Sequence, residues 1–161
     1  MLISINSEEK MPIRNSLLIL ALGLTLVSLS MAQDSRTERQ AIVTPAMAAM
    51  DLPFSDAVLV GNTLYLSGNG GIDLATMKAP EDPREEAKLL MENFKATLAE
   101  ANMTLADLVS VTIYCPDLSL YGAFNDVYRS YFEGDFPARA FIGSGPLLFG
   151  MRFEMQGIAV K

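Results

Sequence analysis

Two amphipathic helical patterns set among five strand patterns predict an α+β fold, a two-layer sandwich with both helices on one face of a single sheet. Apolar residues recur at helical spacing over 87–98 and again over 120–131. The stretches 56–60, 63–67, 108–115, 138–143 and 151–160 are rich in β-branched and aromatic residues, and Gly, Pro, Asn or Asp interrupts the chain between most of them. Two apolar helical stripes need one sheet face to bury against, and that requirement selects the sandwich.

The chain starts with a different kind of segment. Met11-Pro-Ile-Arg-Asn15 is short and basic, Ser16–Leu29 is apolar, and Ser30-Met-Ala32 supplies small residues at alternate positions. That order is the order of a secretory signal. The apolar run is short for a membrane span, which needs roughly 20 residues; a retained N-terminal anchor is the other reading. The sequence therefore predicts a signal peptide over 1–32, a flexible polar tether over 33–41 and one compact domain over 42–161, exported to the periplasm and free of the membrane after cleavage. Met11 rather than Met1 is the more ordinary start for such a signal.

Within the domain, Asp56–Val60 and Thr63–Ser67 flank Gly61-Asn62 and predict a β-hairpin. Gly68-Asn-Gly-Gly71 follows, where the missing Cβ atoms permit a sharp turn or a close approach to a ligand. Asp82 is placed to cap a helix, with Pro83 at its first position and Glu85 closing a capping box. Ala87, Leu90, Met91, Phe94 and Leu98 then form an apolar stripe, with Glu86, Lys88, Glu92 and Lys95 assigned to the polar side and Asn102 to the stop. Leu108–Cys115 reads as a strand with Cys115 toward the core. A second helix over 119–132 buries Leu120, Phe124, Val127, Tyr128 and Tyr131, and two strands flanking the Gly143–Pro146 loop finish the chain. The order is β-β-α-β-α-β-β. On the last strand Glu154, Gln156, Ile158 and Val160 alternate with Phe153, Met155 and Ala159, so both sheet faces are substantially apolar. The face that the helices leave uncovered predicts association with further copies.

Composition removes several chemistries. The 161 residues contain no His and one Cys, which excludes Ser–His and Cys–His pairs, His-ligated metal and an intrachain disulfide. The formal charge is −7, and removing residues 1–32 takes away two acids and two bases and leaves it unchanged. An acidic body without a basic cluster argues against nucleic acid and anionic lipid as partners.

The C-terminal stretch PARAFIGSGPLLFGMRFEMQGIAV places Arg139, Arg152 and Glu154 in otherwise small and apolar surroundings. Either they are solvated edge charges, or Arg139 and Glu154 face each other across a pocket.

At these residues the chain resembles the RidA (YjgF) family of imine deaminases. The likeness runs over about 53–161 and rests on Pro53-Phe-Ser-Asp-Ala57, Leu66-Ser-Gly68, Glu92-Asn-Phe-Lys95, Phe124-Asn-Asp-Val-Tyr128, Pro137-Ala-Arg139 and Phe153-Glu-Met-Gln-Gly-Ile-Ala-Val160, in that order. The resemblance implies a chorismate-mutase-like fold and a homotrimer with sites between subunits. It also implies hydrolysis of small 2-imino acids to 2-keto acids and ammonia, with no cofactor and no metal. It assigns the substrate carboxylate to Arg139 and the attacking water to Glu154, and it lines the pocket with Ser67, Gly68 and Asn125 and with the residues at positions 54 and 141. Here those are Phe54, where the family often has Tyr, and Phe141, where smaller residues are common. Asn69, Gln156 and Pro146 also depart from the usual pattern. Phe54 and Phe141 motivate an alternative, a non-enzymatic trimer that binds small carboxylates or acts as a holdase. An endoribonuclease activity is a third reading, against which the charge and the missing His weigh.

Overall fold

The computed structural model describes residues 38–161. The signal segment and the first part of the tether lie outside these residues. The described chain runs β1 (Arg39–Ile42), α1 (Pro45–Ala48), β2 (Ala57–Val60), β3 (Thr63–Gly70), α2 (Pro83–Glu100), β4 (Leu108–Cys115), α3 (Tyr121–Arg129), β5 (Ala138–Gly143) and β6 (Glu154–Val160). One six-stranded sheet has the order β1-β2-β3-β6-β4-β5. Only β4 and β5 run parallel; the other neighbours are antiparallel. A parallel pair needs a long crossover, and α3 lies within it.

This is the expected α+β sandwich with one strand more than the pattern indicated. β1 begins inside the predicted tether and pairs Arg39 with Val60 and Ile42 with Ala57. RQAI has little apolar alternation of its own; it is ordered by backbone pairing to an edge strand, which composition does not reveal. The second helix is also shorter than its pattern, because Leu118–Leu120 forms a 3-10 turn and the regular helix ends at Arg129.

The helix-facing side of the sheet is closed by α2. Ala87, Leu90, Met91, Phe94 and Leu98 are all fully buried, which at about 1.5–3 kcal/mol for each large side chain makes this contact the main stabilising layer. Gly157 leaves room for it, since a Cβ there would stand 3.2 Å from Phe94 Cζ. Asp82 caps α2 by accepting from the Arg84 N–H at 2.7 Å. Glu85 is engaged by Lys88 Nζ at 2.6 Å rather than in the expected capping box. The chain leaves the helix through Asn102 at φ 53°. Cys115 is fully buried, and burial pushes its thiol pKa up.

Glu86 corrects the helical reading. It was placed on the polar side, yet it is fully buried. Its Oε1 accepts from the backbone N–H groups of Arg152, at 2.6 Å, and Phe153, at 3.0 Å, and its Oε2 accepts from Arg152 Nη1 at 3.1 Å. The Arg152 guanidinium also donates to the carbonyls of Pro80 and Glu81. One carboxylate thus ties the first turn of α2 to the entry of β6, two residues before Glu154. Removing it orphans two N–H donors and takes the counter-charge from a half-buried cation, so Glu86→Ala should lower the unfolding free energy by about 3 kcal/mol. Burial raises the Glu86 pKa above its ordinary 4.5, against the N–H donors and the Arg152 charge, which lower it. An acid raised on folding contributes fully below its unfolded pKa and loses that contribution as pH rises through the folded value. Wild type should therefore gain stability relative to Glu86→Gln as pH falls toward 4.5, measured by urea unfolding at several pH values. The opposite slope would contradict this account of the carboxyl.

The other sheet face carries Val58, Tyr65, Tyr114, Ile142, Gln156 and Ile158, all half-buried or exposed in the single chain. Tyr65 is 50% exposed and Ile142 43%. Across β6 the burial alternates as the pattern predicts, with Met155, Gly157 and Ala159 buried between Glu154, Gln156 and Ile158.

Candidate active site

The candidate residues fall into two clusters. The first is built on β3 and β6. Between Leu66 and Asn69 the β3–β6 register shifts, so Ser67 and Gly68 sit in a bulge beside the start of β6. Ser67 donates from its hydroxyl to the Ser55 carbonyl at 2.6 Å, and its N–H donates to the Asp56 carbonyl at 2.9 Å. These bonds hold the Phe54 loop against the strand, and Phe54 itself is 52% exposed. Gly68 has a steric reason to lack a side chain: a Cβ there would overlap Glu154 Oε1. The Glu154 carboxylate therefore lies over the Gly68 backbone, half-buried, with no cation partner among the described residues.

The bulge is supported from behind. Asn93 of α2 donates from Nδ2 to the carbonyls of Gly70, at 3.1 Å, and Ile72, at 3.3 Å. A Cβ at Gly71 would overlap the Glu86 carbonyl. Helix and glycine stretch pack backbone to backbone, which fixes where Gly68 sits.

The second cluster is built on the edge strand β5 and on α3. Arg139 and Phe141 sit on the helix-facing side. The Arg139 guanidinium lies 4.8 Å above the Tyr128 ring and donates from Nη2 to the Tyr121 hydroxyl at a long 3.5 Å. It has no carboxylate partner among the described residues. Phe141 packs edge-on against Tyr121 at 5.1 Å and 88°, and against Phe124 at 5.5 Å. Its bulk is thus absorbed by the aromatic layer under α3. Asn125, one turn after Tyr121, is half-buried; its side-chain amide, first, and the Arg139 charge lower the Tyr121 phenol pKa. Tyr128 is the opposite case: its hydroxyl is buried with no partner among the described residues, and desolvation pushes its pKa to about 12.

Within one chain the two clusters do not meet. Arg139 is in register with Val111, whose partner on β6 is Gly157, whereas Glu154 pairs with Tyr114. The offset is two strand spacings and three residues along the sheet, on the order of 14 Å. The two side chains also belong to opposite faces of the sheet. The structure thus brings Phe54, Ser67, Gly68 and Glu154 to one place and Asn125, Arg139 and Phe141 to another. Tyr121, Glu86 and Asn93 were missed as supporting residues. Tyr121 and Asn125 stand at i and i+4 on one helix, a spacing that could have flagged the first once the second was suspected.

Comparison with known proteins gives the family. The family model described as endoribonuclease L-PSP matches residues 44–161. A protein of Capra hircus named 2-iminobutanoate/2-iminopropanoate deaminase is 38% identical over 124 residues, covering 76% of this chain and 90% of that one. A protein of the same name from Dermatophagoides farinae is 35% identical over 123 residues, covering 76% of this chain and 96% of that one. Among solved structures, RidA from an Antarctic Psychrobacter superposes with a TM-score of 0.65 at 33% identity, over 69% of this chain and 90% of that one. Motifs, sheet topology and these matches lead to one assignment: the chain belongs to the RidA (YjgF, L-PSP) family.

Proposed function

We propose that this protein hydrolyses small 2-imino acids to 2-keto acids and ammonia, as a homotrimer whose sites are shared between neighbouring copies. The observation that carries the reading is the division of the site. Among the described residues, the Arg139 guanidinium has no carboxylate partner and the Glu154 carboxylate has no cation partner, and the two stand on opposite faces of one sheet, so a second copy can complete each. The uncovered apolar face supports association, as do Leu148 and Phe149, 72% and 56% exposed in the loop after β5. The names of the goat and mite relatives support the substrate class.

In this reaction the Arg139 fork holds the substrate carboxylate through parallel hydrogen bonds, which Lys cannot reproduce. The protonated imine carbon is already electrophilic. Glu154 of the neighbouring copy accepts a proton from water as its oxygen bonds to that carbon. The protonated Glu154 returns that proton to the nitrogen of the resulting amino alcohol. The hydroxyl then gives its proton to Glu154 as the C–N bond breaks. The ammonia released takes it up and leaves as ammonium beside the keto acid. Orientation and general-base assistance supply the acceleration. The N-terminal pattern of basic, apolar and small residues supports export of this activity to the periplasm.

The test is ammonia release from imines generated by an amino-acid oxidase. Purified protein should accelerate it several-fold above the spontaneous rate. Phe54 favours the second reading, a carboxylate-binding trimer without turnover, because its exposed ring brings no hydroxyl to the site. Keto-acid binding without faster ammonia release would select that reading. RNA cleavage is disfavoured by the charge of −7.

A further inference from the structure

We infer that Tyr121 is a substrate-contacting residue of this site, its hydroxyl donating a hydrogen bond to the carboxylate that Arg139 holds. The inference rests on the carboxylate-binding part of the proposed function and adds a residue that the motif reading did not include.

Three candidate site residues converge on this tyrosine. Arg139 donates to its oxygen, Asn125 stands one helical turn away and helps lower its pKa, and Phe141 packs edge-on against its ring. The Arg139 guanidinium thus points at the phenol oxygen, and the O–H proton makes no hydrogen bond to an acceptor among the described residues. A phenol whose oxygen is engaged by a guanidinium is polarised toward donation, and the lowered pKa agrees with that. The residue is 47% exposed, so its hydroxyl is within reach of a ligand arriving at Arg139. Phe141 and the helix hold the ring in place, which removes much of the entropy cost of using it. Tyr128, the other ring beneath Arg139, cannot serve, because its hydroxyl is buried. Tyr121 also restores to the site a phenolic donor that Phe54 lacks.

The experiment is calorimetric titration of the full-length protein with 2-oxobutanoate, the unreactive product-like keto acid, for wild type, Tyr121→Phe and Arg139→Ala. Removing the hydroxyl should weaken binding about 10-fold, the value of one hydrogen bond to a charged group. The unfolding midpoint should not move, since the ring and its aromatic contacts remain. In turnover the loss should appear in KM, with kcat within about two-fold, because the carboxylate is bound alike in ground and transition states. Wild-type affinity in Tyr121→Phe, with binding lost in Arg139→Ala, overturns the inference and leaves the proposed function standing. Failure of wild type to bind 2-oxobutanoate overturns both.

Discussion

Arg139→Ala is expected to lower kcat/KM for ammonia release from 2-iminobutanoate by about 10²–10³-fold, with the fold intact. Losing a charged partner of a bound carboxylate costs about 2–5 kcal/mol, and each 1.4 kcal/mol is a decade in rate. Little of that penalty falls on stability. In the single chain the guanidinium makes one long bond to Tyr121 and rests on the Tyr128 ring, contacts worth at most about 1 kcal/mol at a half-exposed site. Arg139→Lys keeps the charge but not the planar fork, and should recover only part of the loss. Unchanged turnover in the alanine variant would remove the carboxylate role.

The second large effect is expected at a residue with no side chain. In Gly68→Ala the new Cβ would overlap Glu154 Oε1. The strand beneath Glu154 cannot yield, because β6 is paired on both sides, to Gly70 and to Tyr114. The carboxylate is the flexible end and must move. Stability should therefore change by less than about 1 kcal/mol, since only a side-chain rotation is required. Catalysis depends on where that carboxylate stands, and a displacement near 1 Å costs about 10²-fold. The kcat of Gly68→Ala should fall toward that of Glu154→Gln, which keeps the shape and loses the base. Steady-state kinetics beside thermal unfolding separates the outcomes, and full activity in Gly68→Ala would contradict the placement of Glu154.

These two variants also mark what the sequence could convey. The stripe from Ala87 to Leu98 and the alternation over Phe153–Val160 are periodic, and periodicity specifies which side is buried, so helix, strand and facing were readable. Arg139 and Glu154 stood out as charges in apolar strands, but only the family resemblance joined them in one site. That they lie on opposite faces follows from the strand order β3-β6-β4-β5, a long-range pairing that no local window contains. Glu86 was misplaced for a related reason: a charged residue beside an apolar stripe looks solvated until the N–H groups of Arg152 and Phe153 are seen above it. β1 was hidden because its order comes from β2 rather than from its own residues. Tyr121 and Asn125 stand at i and i+4, but that spacing alone does not mark a site residue; the contacts with Arg139 and Phe141 single Tyr121 out.

The central claim is that Arg139 of one copy and Glu154 of another serve the same substrate. Two inactive variants, Arg139→Ala and Glu154→Gln, can be unfolded together, refolded as an equimolar mixture and assayed for ammonia release. If each site takes its arginine and its glutamate from different chains, random assembly gives about one quarter of the sites both functional groups, and about that fraction of wild-type activity should return. A mixture as inactive as its parents, under conditions where refolded wild type recovers, would place both groups in one chain and contradict the shared site.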